Sequence, residues 1–92
     1  MNTARRLVAV IVTFNRLEKL KESLQHTLEN DFFKIIVVNN ASTDGTGEWL
    51  DSVADGRLQV IHSEQNLGGA GGFHLGFKRA ADDTLDADWL VC

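Results

Sequence analysis

The first group of residues that could do chemistry follows the first apolar run, at Thr13-Phe14-Asn15-Arg16. A hydroxyl, an aromatic ring, an amide and a guanidinium stand side by side there. A heterocyclic base offers edges for hydrogen bonds and a face for stacking, and a diphosphate offers charge that a planar guanidinium matches. This group therefore predicts a nucleotide contact. The alternative is that Asn15 only caps a helix, with Glu18 completing a capping box, and that Arg16 is solvated.

The second group is a run of small and polar residues, 39–46, that follows the second apolar run. Asn40 stands just beyond that run and can donate and accept hydrogen bonds toward the edge of a base. Asp44 is a candidate helix cap, ribose-hydroxyl acceptor or organiser of the loop. The alternative interpretation is an Asx-rich turn that does no more than cap the next helix.

The third group is the segment 66–72, whose last five residues include four glycines. Backbone N–H groups ahead of a helix form an anion site, so the segment invites interpretation as a phosphate cradle. It matches neither the full G-x-G-x-x-G pattern nor a Walker loop, which carries a lysine. So many glycines cost backbone entropy that a packed element avoids, and we therefore expect a mobile loop close to a nucleotide.

A metal site and a catalytic residue are not predicted from these residues. The histidines His26, His62 and His74 match no zinc spacing, and His62 is expected to be a structural residue at a strand end. The acidic residues within 82–88 precede the last apolar run, which places them at the edge of the sheet away from the ligand crevice. We interpret them as a solvated surface.

The size and composition of the chain limit the classes of protein to consider. The chain has 92 residues, a formal net charge of −4 and 43% hydrophobic residues, which suits one small folded domain. A negative chain lacks the basic face that a dedicated nucleic-acid binder needs. No run approaches the roughly 18 apolar residues of a membrane span, and a single cysteine suits a reducing compartment. We therefore expect a cytoplasmic protein with no cleaved leader.

Apolar runs alternate with helical patterns along the chain. Strands buried on both faces are predicted at residues 8–12, 35–38, 58–61 and 89–92. Helices are predicted from Leu17 to near Asn30, over 46–53, and after the glycine cluster through Phe73 and Phe77. Strands that alternate with helices at these lengths imply right-handed crossovers. The predicted fold is therefore α/β, with three αβα layers around a parallel sheet.

Taken in order, three segments resemble the N-terminal part of inverting GT-A glycosyltransferases of the family-2 type, in particular bacterial rhamnosyltransferases and galactofuranosyltransferases. The segments are VIVTFNR at 10–16, VVNNASTDGT at 37–46 and NLGGAGG at 66–72. The resemblance covers nearly the whole chain, from about Leu7 to Cys92. It implies that the domain, residues 1–92, is the N-terminal nucleotide-sugar-binding part of a GT-A (nucleotide-diphospho-sugar transferase) fold.

The resemblance also implies roles for particular residues. Thr13, Asn15 and Arg16 are expected beside the nucleoside and diphosphate of the donor. Asn40 is expected to approach the base, with Asp44 supporting the loop, although many relatives carry Asp where this chain has Asn39 or Asn40.

The segment 66–72 is expected to lead into a helix that borders the donor site, which makes Asn66 and Gly68 candidate donor contacts. The implied activity is inverting transfer of a sugar from a nucleotide-diphosphate-sugar to a glycan or lipid-linked acceptor, in bacterial cell-envelope polysaccharide synthesis. The implied setting is the cytoplasm, at the inner face of the plasma membrane.

Relatives carry an Asp-x-Asp-type cluster for Mg²⁺ or Mn²⁺ after the fourth strand, and a general base further on. Neither lies within these 92 residues. We therefore expect a truncated domain that is inactive alone, and that forms homodimers or exchanges strands through an exposed sheet edge. The alternative from a different class is a flavodoxin-like nucleotide-binding or regulatory module without transferase activity. A response-regulator-like module of that type carries acidic residues where this chain has Thr13, Phe14 and Asn15.

Overall fold

Strands and helices alternate throughout the computed structural model, which describes residues 7–83 and 88–91. In chain order the elements are β1 (Leu7–Thr13), α1 (Leu17–Leu28), β2 (Lys34–Asn39), α2 (Thr46–Ser52), β3 (Leu58–His62), α3 (Gly68–Asp83) and β4 (Asp88–Val91). These are the strands and helices that the sequence predicts. Their observed ends differ from the predicted ends by one or two residues, except at the start of α3. Of the expected acidic connector, residues 84–87 lie outside the described part.

The four described strands form one parallel sheet in the order β3-β2-β1-β4. The chain moves outward from β1 to β3 and then returns to the other side of β1. The strand order therefore reverses between β1 and β4, and ligands of open α/β sheets bind beyond the carboxyl ends of the strands at such a switch point. The predicted parallel α/β sheet is confirmed.

Two hydrophobic clusters cover the two faces of the sheet, because successive strand residues point to opposite sides. Ala9, Ile11, Ile35 and Val37 pack against α1 and α2 on one face. Val8, Val10 and Ile36 pack against α3 on the other. Both faces of β1 and β2 are covered, so these strands are continuous apolar runs and the domain has three layers.

The first helix is held at both ends by residues distant in sequence. Along α1, Leu20 and Leu24 are buried and Leu28 is half-buried, as their helical spacing predicts. At its C-terminal end, the Arg57 guanidinium donates to the carbonyl oxygens of Leu28 (2.8 Å) and Asn30 (2.7 Å). The carboxylate of Asp55 orients the same guanidinium through bonds of 3.0 and 3.1 Å. This cluster closes the edge of the sheet opposite the strand carboxyl ends.

The expectation of a mobile loop over the glycine cluster is wrong. Residues 68–72 form the start of α3, which packs closely against β1. A Cβ atom added at Gly72 would lie 2.6 Å from Val12 Cγ1, and one at Gly76 would lie 2.5 Å from Val10 Cγ1. Glycine at these two positions therefore allows the helix to approach the sheet more closely than any other residue would, and this packing offsets the entropic cost of glycine.

Candidate functional site

The polar groups predicted to bind a ligand meet at one edge of the sheet. Thr13 ends β1 beside Asn39 at the end of β2, and Asn39 lies beside His62 at the end of β3. The backbone N–H of Asn40 continues this edge by donating to the Thr13 carbonyl at 2.9 Å. The loops that follow β1 and β2 and the segment that follows β3 therefore share one rim.

Asn15 joins the first two loops and does not cap α1. Its backbone N–H donates to Ser42 Oγ at 2.9 Å, and its side-chain Oδ1 accepts from the Thr43 N–H at 2.7 Å. The N-terminal cap position of α1 is occupied by Arg16, without a side-chain capping bond. The predicted capping box of Asn15 and Glu18 is therefore wrong, because the Asn15 amide bonds to a loop 28 residues along the chain.

Asp44 performs the capping that was expected of Asn15. Its Oδ2 accepts from the Leu17 N–H at 3.2 Å, and its Oδ1 accepts from the N–H (3.2 Å) and the hydroxyl of Thr46. The bond from the Thr46 hydroxyl and the bonds from the backbone N–H groups of Leu17 and Thr46 hold the pKa of the Asp44 carboxyl below its usual range. One carboxylate thus begins both α1 and α2, which matches the predicted roles of cap and loop organiser.

Asn40 joins the second loop to the start of α3. Its Oδ1 accepts from the Leu67 N–H at 2.8 Å, and its Nδ2 donates to the Gly68 carbonyl at 3.0 Å. The Asn66 Oδ1 accepts from the Gly68 N–H at 2.8 Å in the same turn, and Gly68 has φ of +73°. These contacts bring Asn40, Asn66 and Gly68 together at the rim.

A cavity of about 390 Å³ opens at the carboxyl end of β1, beside α1. Thr13, Phe14 and Arg16 line its rim, and Lys19 and Ser23 line its α1 side. The Phe14 side chain is 42% exposed, so its ring is accessible for stacking. Lys19 and Ser23 were not among the predicted site residues. Their spacing from Arg16, three and seven positions along the helix, is the sequence signal that places them on the same face.

Positive electrostatic charge concentrates at this cavity. The guanidinium of Arg16 and the ammonium of Lys19 are both exposed, and within residues 7–81 neither forms an ion pair or a side-chain hydrogen bond. The rest of the chain carries a net negative charge, since the total is −4. A half-open cavity with two free cations and an aromatic wall suits an anionic ligand with a planar ring.

Strained backbone conformations lie in the two interlocked loops. Asn15 has φ of +47° and Ala41 has φ of +65°, and these are the positive-φ residues other than glycine in the described part of the chain. Asparagine tolerates this region, whereas alanine there costs roughly 1 kcal/mol. Such strain persists where surrounding contacts determine the conformation, and it clusters at ligand-binding sites.

His62 belongs to a chain of hydrogen bonds that links the end of β2 to α2 through the end of β3. The Asn39 Nδ2 donates to His62 Nδ1 at 3.1 Å, and His62 Nε2 donates to Asp51 Oδ1 at 2.9 Å. The Asn39 Oδ1 accepts from the Ser42 N–H at 3.1 Å. Both ends of the Asn39 amide are therefore used within the protein, and His62 serves as the structural histidine that the sequence predicts.

Residues 7–81, whose side chains the structure describes, contain no group of three or more His, Cys, Asp or Glu side chains arranged to hold a metal ion. In that part of the chain, none of the helices combines the length and the apolar character needed to cross a bilayer. The described carboxylate and imidazole groups therefore do not form a Mg²⁺ or Mn²⁺ centre.

Comparison with known proteins adds sequence relatives to this geometry. The chain is 36% identical over 93 aligned residues to an undecaprenyl-phosphate mannosyltransferase of Micrococcus luteus, covering 90% of this chain and 37% of that protein. It is 31% identical to the glycosyltransferase GlyG of Streptococcus pneumoniae, covering 92% of this chain and 31% of that protein. A poly-β-1,6-N-acetyl-D-glucosamine synthase of Staphylococcus aureus is 27% identical over 88 residues, 21% of its length.

The chain thus spans between one fifth and two fifths of the length of these curated relatives. The alignment includes the three polar segments and all the described strands, because residues 8–92 match the sequence profile described as Glycosyl transferase family 2. The parallel α/β sheet agrees with the N-terminal part of the GT-A fold of that family. The chain therefore belongs to glycosyl transferase family 2.

Proposed function

We propose that this chain is the donor-binding part of a longer glycosyltransferase, which transfers a sugar with inversion from a nucleotide-diphosphate-sugar to a glycan or lipid-linked acceptor. The observation that carries the proposal is the cavity at the carboxyl end of β1, lined by Phe14, Arg16 and Lys19. The names of two relatives, an undecaprenyl-phosphate mannosyltransferase and a poly-β-1,6-N-acetyl-D-glucosamine synthase, support a lipid-linked or polysaccharide acceptor.

In the proposed complex the base stacks on Phe14, and the diphosphate lies between Arg16 and Lys19. Arg16 offers a planar fork of N–H donors, and Lys19 adds a point charge from the same helix face. Because α1 begins at Leu17, its N-terminal dipole adds to the attraction for a phosphate. Thr13 lines the same cavity and is 7% exposed.

The remaining proposed contacts shape the loop around the donor. Asn15 and Asp44 hold the first two loops together through the bonds described above, and both remain exposed at the rim. Asn66 and Gly68 border the site from the start of α3. An exposed carboxylate retains free lone pairs, so Asp44 can also accept a hydrogen bond from a ribose hydroxyl.

Group transfer needs two components that the described residues do not offer. A divalent cation such as Mg²⁺ or Mn²⁺ would neutralise the leaving diphosphate, and a carboxylate base would deprotonate the acceptor hydroxyl. We propose that other parts of the enzyme supply both, so that the 92-residue chain binds nucleotide weakly and does not turn over. The proposed setting is bacterial cell-envelope polysaccharide synthesis at the inner face of the plasma membrane.

Calorimetric titration of the chain with uridine, thymidine and guanosine diphosphates tests the proposal. Arg16→Gln and Lys19→Gln each remove a charge from the cavity, and each is expected to weaken binding roughly tenfold, from the lost charge-assisted hydrogen bonds. Arg79→Gln and Lys78→Gln are matched controls, because both residues are exposed on α3. Equal loss in the α3 variants, or no binding of any of the three nucleotides, would contradict the proposed site.

A further inference from the structure

The side chain of Asn40 forms two hydrogen bonds with the backbone of the consecutive residues Leu67 and Gly68. Its oxygen accepts from the Leu67 N–H at 2.8 Å and its nitrogen donates to the Gly68 carbonyl at 3.0 Å. The residue is 2% exposed. Both polar atoms of the amide are therefore bonded within the protein, and almost no surface of the side chain is accessible to a ligand.

Helix α3 encloses the same amide from above. A Cβ atom built at Gly72 would lie 3.5 Å from Asn40 Nδ2, so the helix passes directly over the side chain. The Asn40 backbone N–H is also used, since it donates to the Thr13 carbonyl at 2.9 Å. One residue thereby joins the end of β1, the end of β2 and the start of α3.

We propose that Asn40 is a positioning residue, which docks the start of α3 onto the rim of the donor cavity and does not itself contact the base. The ligand part of this inference rests on the proposed function, whereas the docking part stands on the two hydrogen bonds alone. Arg16 and Phe14 are then the groups that meet the donor, and Asn40 fixes the distance between the first loop and α3.

The identity of the side chain follows from this contact. An amide presents one donor and one acceptor. It faces the complementary pair formed by the Leu67 N–H and the Gly68 carbonyl oxygen, which belong to different peptide groups of the same turn. A carboxylate has the same shape but no proton to donate. Its second oxygen would therefore face the Gly68 carbonyl oxygen in a buried place, with no hydrogen bond between the two. A protonated carboxyl group again has one donor and one acceptor, and would restore both bonds.

The two protonation states of an aspartate at position 40 therefore give a test by hydrogen exchange. If Asn40 only filled space, the effect of Asn40→Asp would not depend on pH. In Asn40→Asp, protection of the Leu67 amide against hydrogen exchange is expected to fall at least tenfold at pH 8. It should recover toward the wild-type value near pH 5, because burial against a carbonyl raises the pKa of the introduced carboxyl. In Asn40→Ala the loss should be similar at both pH values. Wild-type protection in Asn40→Asp at pH 8, or equal pH dependence in both variants, would overturn the proposal.

Asn66→Asp is the matched control for this experiment. Asn66 uses its side-chain oxygen to accept from the Gly68 N–H, so a carboxylate at this position keeps that bond. Protection should stay near the wild-type value at both pH values. If Asn40→Asp does not fold at pH 8, the wild-type Asn40 Nδ2 protons decide the matter. Slow exchange of one of them supports docking, and exchange of both at the rate of free amides overturns it.

Nucleotide binding by the Asn40→Asp variant separates this inference from the proposed function. If Asn40 only positions α3, Asn40→Asp should weaken uridine, thymidine and guanosine diphosphates by a similar factor at pH 8. Near pH 5 it should approach the wild-type affinity for all three. A changed ranking of the three bases would overturn the proposal, because a residue that contacts the base discriminates between them. If the wild-type chain binds none of the three, the proposed function fails, and the exchange experiment still decides the docking role.

Discussion

Replacement of Gly76 by alanine measures how closely α3 approaches the sheet. The added Cβ would lie 2.5 Å from Val10 Cγ1 and 3.3 Å from Val38 Cγ2. Both valines are fully buried, and β-branched side chains have little rotamer freedom to move away. We therefore expect the helix to be displaced from the strand or the valines to be strained.

The change in the free energy of unfolding for Gly76→Ala is the difference between an overpacking cost and a gain in helix propensity. Overpacking a filled core costs about 1–3 kcal/mol, whereas alanine is better than glycine in a helix by about 1 kcal/mol. The net expectation for Gly76→Ala is a loss of about 1 kcal/mol. In a domain of this size that corresponds to a fall in Tm of about 4–8 °C.

The neighbouring variant Gly69→Ala isolates the helix-propensity term, because nothing lies within 4 Å of a Cβ added there. It should raise stability by up to about 1 kcal/mol. Urea unfolding followed by circular dichroism at 222 nm gives both values under two-state conditions. In a Val10→Ala background the overpacking should disappear, so that Gly76→Ala becomes neutral or stabilising. Equal stability of Gly76→Ala and Gly69→Ala in the otherwise unchanged chain would refute the close packing.

Three further predictions concern charge and assembly. Asp44→Asn should lower Tm at pH 7, and the Tm values of variant and wild type should converge below about pH 4. The pKa of Asp44 is lowered in the folded protein, so the carboxylate contributes stability above its usual pKa, and this stability is lost as the pH falls. A pH series of thermal melts checks this. Arg57→Lys should lower Tm more than Arg79→Lys, because an ammonium cannot replace the guanidinium contacts to Leu28, Asn30 and Asp55; equal melts would contradict it. Sedimentation velocity should reveal dimers at high concentration, because β3 and β4 are edge strands, and a clean monomer would count against this.

The strands could be predicted from sequence because buried parallel strands leave a direct compositional trace. Residues 8–12 and 35–38 are unbroken apolar runs that are β-branched except at Ala9, and both are covered on two faces in the structure. The helical spacing of Leu20 and Leu24 predicted the buried face of α1 for the same reason. The family resemblance, carried by the three polar segments, is confirmed by the family match.

The errors have a shared physical cause, which is contact between residues distant in sequence. Local spacing favours Asn15 as the cap of α1, but the Asp44 carboxylate accepts from the Leu17 N–H, 27 residues away in sequence. The entropic cost of glycine favours a loop over residues 68–72, but in the structure these residues begin α3, which packs against β1. Gly72, Gly76 and Ala80 recur every four residues, and this spacing on one helix face is the signal that could have predicted the packing.

The flavodoxin-like alternative loses its support for a similar reason. Its sheet would resemble this one over four strands, so the fold alone does not separate the two classes. The separation comes from the residues at the strand ends and from the family match over 8–92. Thr13, Phe14 and Arg16 at the end of β1 line a cavity with free cations, whereas a response-regulator-like module would place acidic side chains there.

The most direct test of the central claim is a two-dimensional ¹H–¹⁵N NMR titration of the chain with a nucleoside diphosphate. We expect the largest chemical-shift changes at the amides of Phe14, Arg16 and Lys19, around the β1 cavity. Changes confined to the groove between α1 and α2, at Leu28, Trp49 and Val53, would contradict it, since that surface is a separate cavity of about 410 Å³.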